Sequence, residues 1–259
     1  MWPKSFLAIA TAAPLFFAAA QTDAAELKVF VGGAMTETVG KIGADFARSS
    51  GHRLIYVSDT TGSLLNKLKA GEKADILVVT APAMDGLQKD GGIAQGSRAE
   101  LVRALIGVAI RPGAPVPDLS SADGFKKSLL AARSVSYVDP KAGGTSGTYF
   151  EGLMAKMGIA NEMKPKIVYR TEGAEVAAAV AKGDAELGIS FIAELAPNKG
   201  VKVAGPLPGE IQLPTNYAAA IPAGSSNADA ARAFIQAMVS PAGTAVFKAA
   251  GLEPLAVAR

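Results

Sequence analysis

Four short segments hold most of the chemistry this sequence offers. They are Val31-Gly-Gly-Ala-Met-Thr36, Ser58-Asp-Thr-Thr-Gly-Ser63, Asp139-Pro-Lys-Ala-Gly-Gly-Thr-Ser-Gly-Thr148 and Arg170-Thr-Glu-Gly173. Glycine lets a backbone approach a bound molecule closely, and hydroxyls add donors beside the unpaired amides of a first helical turn. The partial positive charge of a helix start favours an anion there. Gly33, Met35, Thr60 and Thr145 are therefore candidate ligand contacts. Arg170 and Lys141 are cations that can neutralise an anion, and Asp59 and Glu172 are carboxylates in the same turns. The competing reading for each turn alone is structural, because Gly, Ser, Thr and Asp are also what βα turns and helix caps require. The four together point to an anion.

Other chemistry is excluded by residue type. The chain has no Cys and one His among 259 residues, so disulfides, thiolate nucleophiles and multi-His metal sites are ruled out. Neither a metal nor an organic cofactor is implied. Gly32-Gly33 lacks dinucleotide-turn spacing, and no phosphate-loop Gly-Lys-Ser/Thr occurs. Gly144-Thr-Ser-Gly147 lacks the residue that a nucleophile elbow needs between Ser and Gly. His52 precedes a strand at the end away from the predicted ligand and reads as a surface histidine.

The turns need elements to hold them. Leu27–Val31, Arg53–Val57 and Ile76–Val79 are apolar strand patterns, with helical spacing over Thr36–Arg48 and from Ser63, and Pro82 at a helix start. Leu101–Ile110 reads as one long strand leaving this series. A second series follows: Ser134–Val138, a helix from Ser146, Ile167–Tyr169, a helix from Ala174, and Leu187–Phe191. Gly200–Leu213 reads as edge and loop, Asn216–Ile221 as another long strand, and Ala228–Val239 and Pro241–Ala250 as helices. Strands alternating with helices predict parallel sheets covered on both faces. The expected fold class is α/β: two doubly wound lobes joined by two crossing strands. Residues 26–107 and 217–259 form the first lobe and 108–216 the second. In such sheets ligands sit beyond the carboxyl ends of the strands, where all four turns fall.

Composition agrees with a folded chain, with 49% hydrophobic and 19% charged residues. The net charge is only +3 and the cations are scattered, so nucleic acid is not an expected partner. Lys4, an apolar stretch over Phe6–Ala20 and small residues up to Ala25 read as a secretory signal peptide over residues 1–25. An exported, periplasmic, monomeric protein is expected.

Leu27-Lys-Val-Phe-Val-Gly-Gly-Ala-Met-Thr36, Leu64 through Val79, Asp139-Pro140, Leu187-Gly-Ile189 and Ser240-Pro-Ala-Gly-Thr-Ala-Val-Phe247 occur in this order. Together they resemble the periplasmic molybdate-binding proteins of ABC transporters, over nearly the whole mature chain. The resemblance implies the type II periplasmic binding protein fold, a small anion held between lobes, and an ABC permease as partner. The family's oxyanion-holding positions fall on Ala34, Thr61, Ser146, Gly173 and Phe191. Thr61 keeps a hydroxyl, while Ala34 and Phe191 lose one. Each missing donor to a buried oxyanion costs about 1–3 kcal/mol, which disfavours molybdate itself and leaves two candidate ligands, another oxyanion or a small organic carboxylate paired by Arg170 or Lys141. The chain is also similar to periplasmic aconitate isomerases, which interconvert cis- and trans-aconitate by an allylic proton shift. That alternative implies Glu172, Asp59 and Tyr149 as candidate proton carriers.

Overall fold

The computed structural model of the chain describes residues 24–255. The expected signal peptide lies outside these residues, apart from Ala24 and Ala25. Strands β1 (Glu26–Gly32), β2 (Arg53–Asp59) and β3 (Ile76–Thr80) are parallel, with β1 between the other two. Their helices are α1 (Thr36–Ser50), α2 (Thr61–Lys69) and α3 (Ala81–Lys89). A 3-10 turn over Gly33–Met35 precedes α1. The predicted spacing is why α1 packs: Val39, Ile42 and Phe46 are buried, and Phe46 stacks on Phe234 with ring centroids 5.1 Å apart.

The apolar stretch expected as one strand over 101–110 is two. β4 (Ala99–Ala104) belongs to the first sheet and β5 (Ile106–Ile110) to the second. Leu105 is the break, and its carbonyl accepts from the Ile192 amide at 2.9 Å. Periodicity cannot reveal such a break, since apart from the exposed Arg103 the residues from Leu101 to Ile110 are apolar on both sides of it.

The second lobe contains α4 (Ala122–Ala131), β6 (Val135–Val138), α5 (Thr145–Lys156), α6 (Ala160–Met163) and β7 (Ile167–Arg170). It continues with α7 (Gly173–Lys182), β8 (Leu187–Phe191), α8 (Ile192–Leu195) and β9 (Lys202–Pro206). Its sheet has the order β7-β6-β8-β5-β9, parallel among β7, β6 and β8 and antiparallel around β5. The chain returns through residues 207–214 to β10 (Thr215–Ala220), α9 (Ala228–Val239), α10 (Pro241–Ala249) and the two-residue β11 (Glu253–Pro254). The first sheet is then β11-β4-β10-β3-β1-β2.

β10 stays wholly within the first sheet, so the return crossing is the 207–214 segment rather than a long strand. The Gln212 side chain ties the two crossings together. Its Oε1 accepts from the Ile106 amide at 3.0 Å, and its Nε2 donates to the Ile106 carbonyl at 2.9 Å. No helix among the described residues is long and apolar enough to cross a membrane.

Candidate functional site

The glycine- and hydroxyl-rich turns follow the carboxyl ends of β1, β2, β6 and β7, and the two lobes bring them face to face. Thr60 takes extended backbone angles and its Oγ1 accepts from the Ser63 amide at 3.2 Å, which starts α2. The starts of α5 and α7, at Gly144 and Glu172, carry no side-chain cap. Their first-turn amides are thus left to a ligand or to water. A narrow cavity between the lobes is lined by Gly33, Thr60 and Thr61 from one side and Thr145, Ser146 and Gly173 from the other.

The cleft is closed. The Gly62 amide in α2 donates to the Gly143 carbonyl across the gap at 3.2 Å, and Thr60 Oγ1 donates to the Ala142 carbonyl. A methyl group at Gly62 would lie 2.9 Å from Gly143 Cα, so this contact depends on glycine. Gly143 itself has φ of +75°, the left-handed region that turns its carbonyl toward the opposite lobe. About 20 Å³ of cavity remains inside, space for about one water. A ligand therefore enters by parting of the lobes. Outside the glycine contact lies a groove of about 640 Å³, lined by the cations Lys69 and Lys141 and the carboxylates Asp59 and Glu172.

Three carboxyl groups line the inner cavity: Asp59, Glu172 and Glu194. Asp59 is fully engaged. Its Oδ1 accepts from the Thr60 amide at 2.8 Å, its Oδ2 accepts from Ser63 Oγ at 2.5 Å, and Lys67 Nζ stands 3.6 Å away. It holds the start of α2. Glu172 is half-buried and makes no capping bond; burial, then the charges of Asp59 and Glu175, push its pKa up.

Glu194 lies in the short helix α8, three residues beyond the end of β8. The residue keeps some exposed surface, yet its carboxyl group is enclosed by protein, and that local burial governs its ionisation. Oε2 accepts from Ser190 Oγ at 2.5 Å, and Ser190 Oγ is 3.4 Å from Ser146 Oγ. A methyl group on Gly33 would meet Oε1 at 2.4 Å, and one on Gly173 would meet Oε2 at 2.0 Å. The two glycines, one from each lobe, form the cradle of this carboxyl. Burial raises its pKa to about 7, with Glu172 adding to the rise; the Ser190 hydroxyl and Phe191 amide pull the other way and lose. Tyr217 of β10 also lines the cavity, edge-on to Phe191 with centroids 6.0 Å apart. Burial and the neighbouring Glu194 keep its phenol protonated, so it is a hydrogen-bond donor.

The structure thus brings together Gly33, Asp59, Thr60, Thr61, Thr145, Ser146, Glu172, Gly173 and Phe191. It does not bring five other expected residues to the cavity. Arg170 points outward: its guanidinium bonds Asp184 Oδ2 at 3.1 Å and its own neighbour's carbonyl, that of Tyr169, at 2.8 Å. The Tyr149 hydroxyl is committed to the Ile211 carbonyl at 2.8 Å. Ala34 and Met35 are turned into the hydrophobic core by the 3-10 turn that carries them. Lys141 lies at the outer groove. His52 Nδ1 accepts from the Ala25 amide at 3.0 Å, at the opposite end of β2. Among the described residues no cluster of three or more His, Asp or Glu has the arrangement of a metal site.

Sequence reasoning missed Glu194 and Tyr217. Ser190-Phe-Ile-Ala-Glu194 did carry a signal: an acid four residues after a serine, directly beyond a buried strand's carboxyl end. Tyr217 gave none, since in sequence it is one aromatic among the apolar residues of β10.

Two mixed-sheet lobes, a closing cleft between them and helix starts aimed into it define a two-lobed solute-binding protein. The sequence pattern of the bacterial extracellular solute-binding protein family matches residues 27–253, and the chain belongs to that family. It is 31% identical to the aconitate isomerase of a Pseudomonas species over 236 residues, 88% of either chain. It is also 31% identical to the molybdate-binding protein ModA of Azotobacter vinelandii over 258 residues, covering 95% of this chain and 96% of that one. The solved periplasmic molybdate-binding protein of the same organism superposes with a TM-score of 0.70 at 22% identity, over 87% of this chain and 98% of that one.

Proposed function

We propose that this chain is an exported, monomeric protein that captures a small organic polycarboxylate between its lobes. The observation that carries the reading is the enclosed Glu194 carboxyl, which shares a cavity with Asp59, Glu172 and the starts of α2, α5 and α7. A compact, fully ionised oxyanion such as molybdate needs donors on every side. An enclosed carboxylate in the same cavity repels any anion set against it unless it first takes up a proton, and only a longer acid can keep its charged groups away from it. A longer organic acid can set its carboxylates at the helix starts of α2, α5 and α7 and its carbon skeleton against Phe191. Closure around it would present one lobe arrangement for a membrane permease to recognise.

Titration calorimetry with trans-aconitate, cis-aconitate, citrate, molybdate and sulfate tests this. Tighter binding of at least one tricarboxylate than of either oxyanion is expected. Tightest binding of molybdate or sulfate overturns it.

A second reading is that the bound acid is also converted, as an aconitate isomerase would convert it. The Glu172 and Glu194 carboxyl groups beside the helix starts support this, together with the similarity to the Pseudomonas enzyme. Proton NMR of the protein with excess trans-aconitate distinguishes the two. Product resonances growing with protein concentration establish conversion, and line broadening alone leaves capture.

A further inference from the structure

We propose that Glu194 is the proton-carrying residue of this cleft, accepting a proton from the methylene carbon of a bound unsaturated polycarboxylate and returning one at the other end of the allylic system. This rests on the isomerase reading. Glu172 also lines the cavity without a capping bond of its own, but it is only half-buried and stands at the start of α7 rather than enclosed between the lobes. The remaining acids and bases are accounted for by their contacts. Asp59 is saturated by the Thr60 amide, the Ser63 hydroxyl and Lys67, so it serves as a helix cap. Tyr149 is held by a carbonyl, and His52 lies at the far end of β2. Tyr217 stays a protonated phenol, suited to donating a hydrogen bond to the substrate.

Glu194 has the geometry the reaction needs. Oε2 is fixed by Ser190, while Oε1 lies over Gly33, where the glycine leaves room beside the α1-side wall. The carboxyl stands between backbone from both lobes, so it is completed as a site only when the cleft closes. The groups that face it are Glu172 from the start of α7, Tyr217 from β10 and Ser190 from the end of β8. Burial suits a general base, whose protonation state should be able to change near neutral pH.

The step balances within the substrate and one carboxylate. A methylene C–H bond breaks and the proton passes to Glu194. The electron pair becomes the new carbon–carbon double bond as the old one opens, with transient negative charge spread onto the flanking carboxylates. The helix starts that hold those carboxylates stabilise that charge. Glu194 then returns a proton to the far carbon, and the carboxylate is regenerated. No oxidant, reductant or cofactor is consumed.

The test follows trans-aconitate with the full chain in deuterium oxide by proton NMR. Wild-type protein is expected to form cis-aconitate and to wash solvent deuterium into the methylene position. Glu194→Gln should lower the rate at least 100-fold while trans-aconitate still binds within about tenfold of wild type. Glu194→Asp should recover part of the rate. Ser190→Ala, which removes the hydrogen bond that favours the ionised carboxylate, should move the midpoint of the kcat–pH profile upward with KM nearly unchanged. That variant also serves if Glu194→Gln does not fold. A wild-type protein that binds but never turns over overturns the isomerase reading and this proposal with it. A wild-type protein that turns over, with Glu194→Gln within fivefold of it or the Ser190→Ala midpoint unmoved, overturns Glu194 alone.

Discussion

Gly62→Ala separates closure of the cleft from folding of the lobes. The added methyl would stand 2.9 Å from Gly143 Cα and 3.0 Å from its carbonyl oxygen. Carbon contacts settle near 3.5–4.0 Å, so the overlap with Cα is about 0.6 Å or more. The obstruction is backbone, held in its turn by the Gly143 amide bonding the Pro140 carbonyl at 3.0 Å, and it cannot swing aside as a side chain would. Forced overpacking of this kind costs about 1–3 kcal/mol. The cost falls only on the closed form, so affinity for trans-aconitate should weaken about 5- to 150-fold. In the open form the same alanine sits in the first turn of α2, where replacing glycine helps a helix by up to about 1 kcal/mol. The ligand-free protein should therefore melt no lower than wild type. Gly40→Ala, on α1 with open space around it, is the control and should leave affinity unchanged. Calorimetric titration with a ligand-free thermal melt reads both quantities. An affinity within twofold of wild type, or a ligand-free melting point several degrees lower, would refute the claim that this glycine pair governs closure.

Stability should depend on pH through Glu194. Between 4.5, its ordinary value, and about 7 the folded chain holds a proton that the unfolded chain has lost, so stability falls as pH rises through that window. Urea midpoints from pH 4 to 8 should show the decline, and Glu194→Gln should flatten it. Arg170→Ala should leave ligand affinity within about twofold and cost less than about 1 kcal/mol of stability, because the guanidinium makes a partly exposed ion pair with Asp184 and a bond to its neighbour's carbonyl, both outside the cavity. A tenfold affinity loss by calorimetry would return Arg170 to the ligand. Gly147→Ala would drive a methyl to 1.9 Å from the Val138 carbonyl oxygen, inside the second lobe. It should lower the melting temperature by at least about 3 °C, since overpacking costs 1 kcal/mol or more.

The strands and helices were legible wherever apolar residues kept a clean period. The helices Ala228–Val239 and Pro241–Ala249 follow the expected bounds closely because Ser240 and Pro241 mark the boundary between them. The break at Leu105 was not legible, since it interrupts no pattern. The four turns were found from composition, yet composition could not say which way a side chain points. Arg170 ends a strand at the cleft but pairs with Asp184 on the outer side, and Tyr149 is one turn into α5 yet reaches the 207–214 segment. Glu194 escaped notice because its role depends on two glycines far away in sequence, at 33 and 173, whose missing side chains make its space.

Ala104 pairs with Thr215 where β4 and β10 run antiparallel, and Gly107 pairs with Pro206 where β5 and β9 do. The outgoing and returning chains therefore run paired on both sides of the 207–214 segment, and Gln212 is a rung across that interval. Seen this way the whole second lobe is an insertion in the tip of a hairpin that belongs to the first. A ribbon bends readily across its flat face and resists shear within its plane. Bending of the paired crossing would part Gly143 from Gly62 without sliding the lobes past one another.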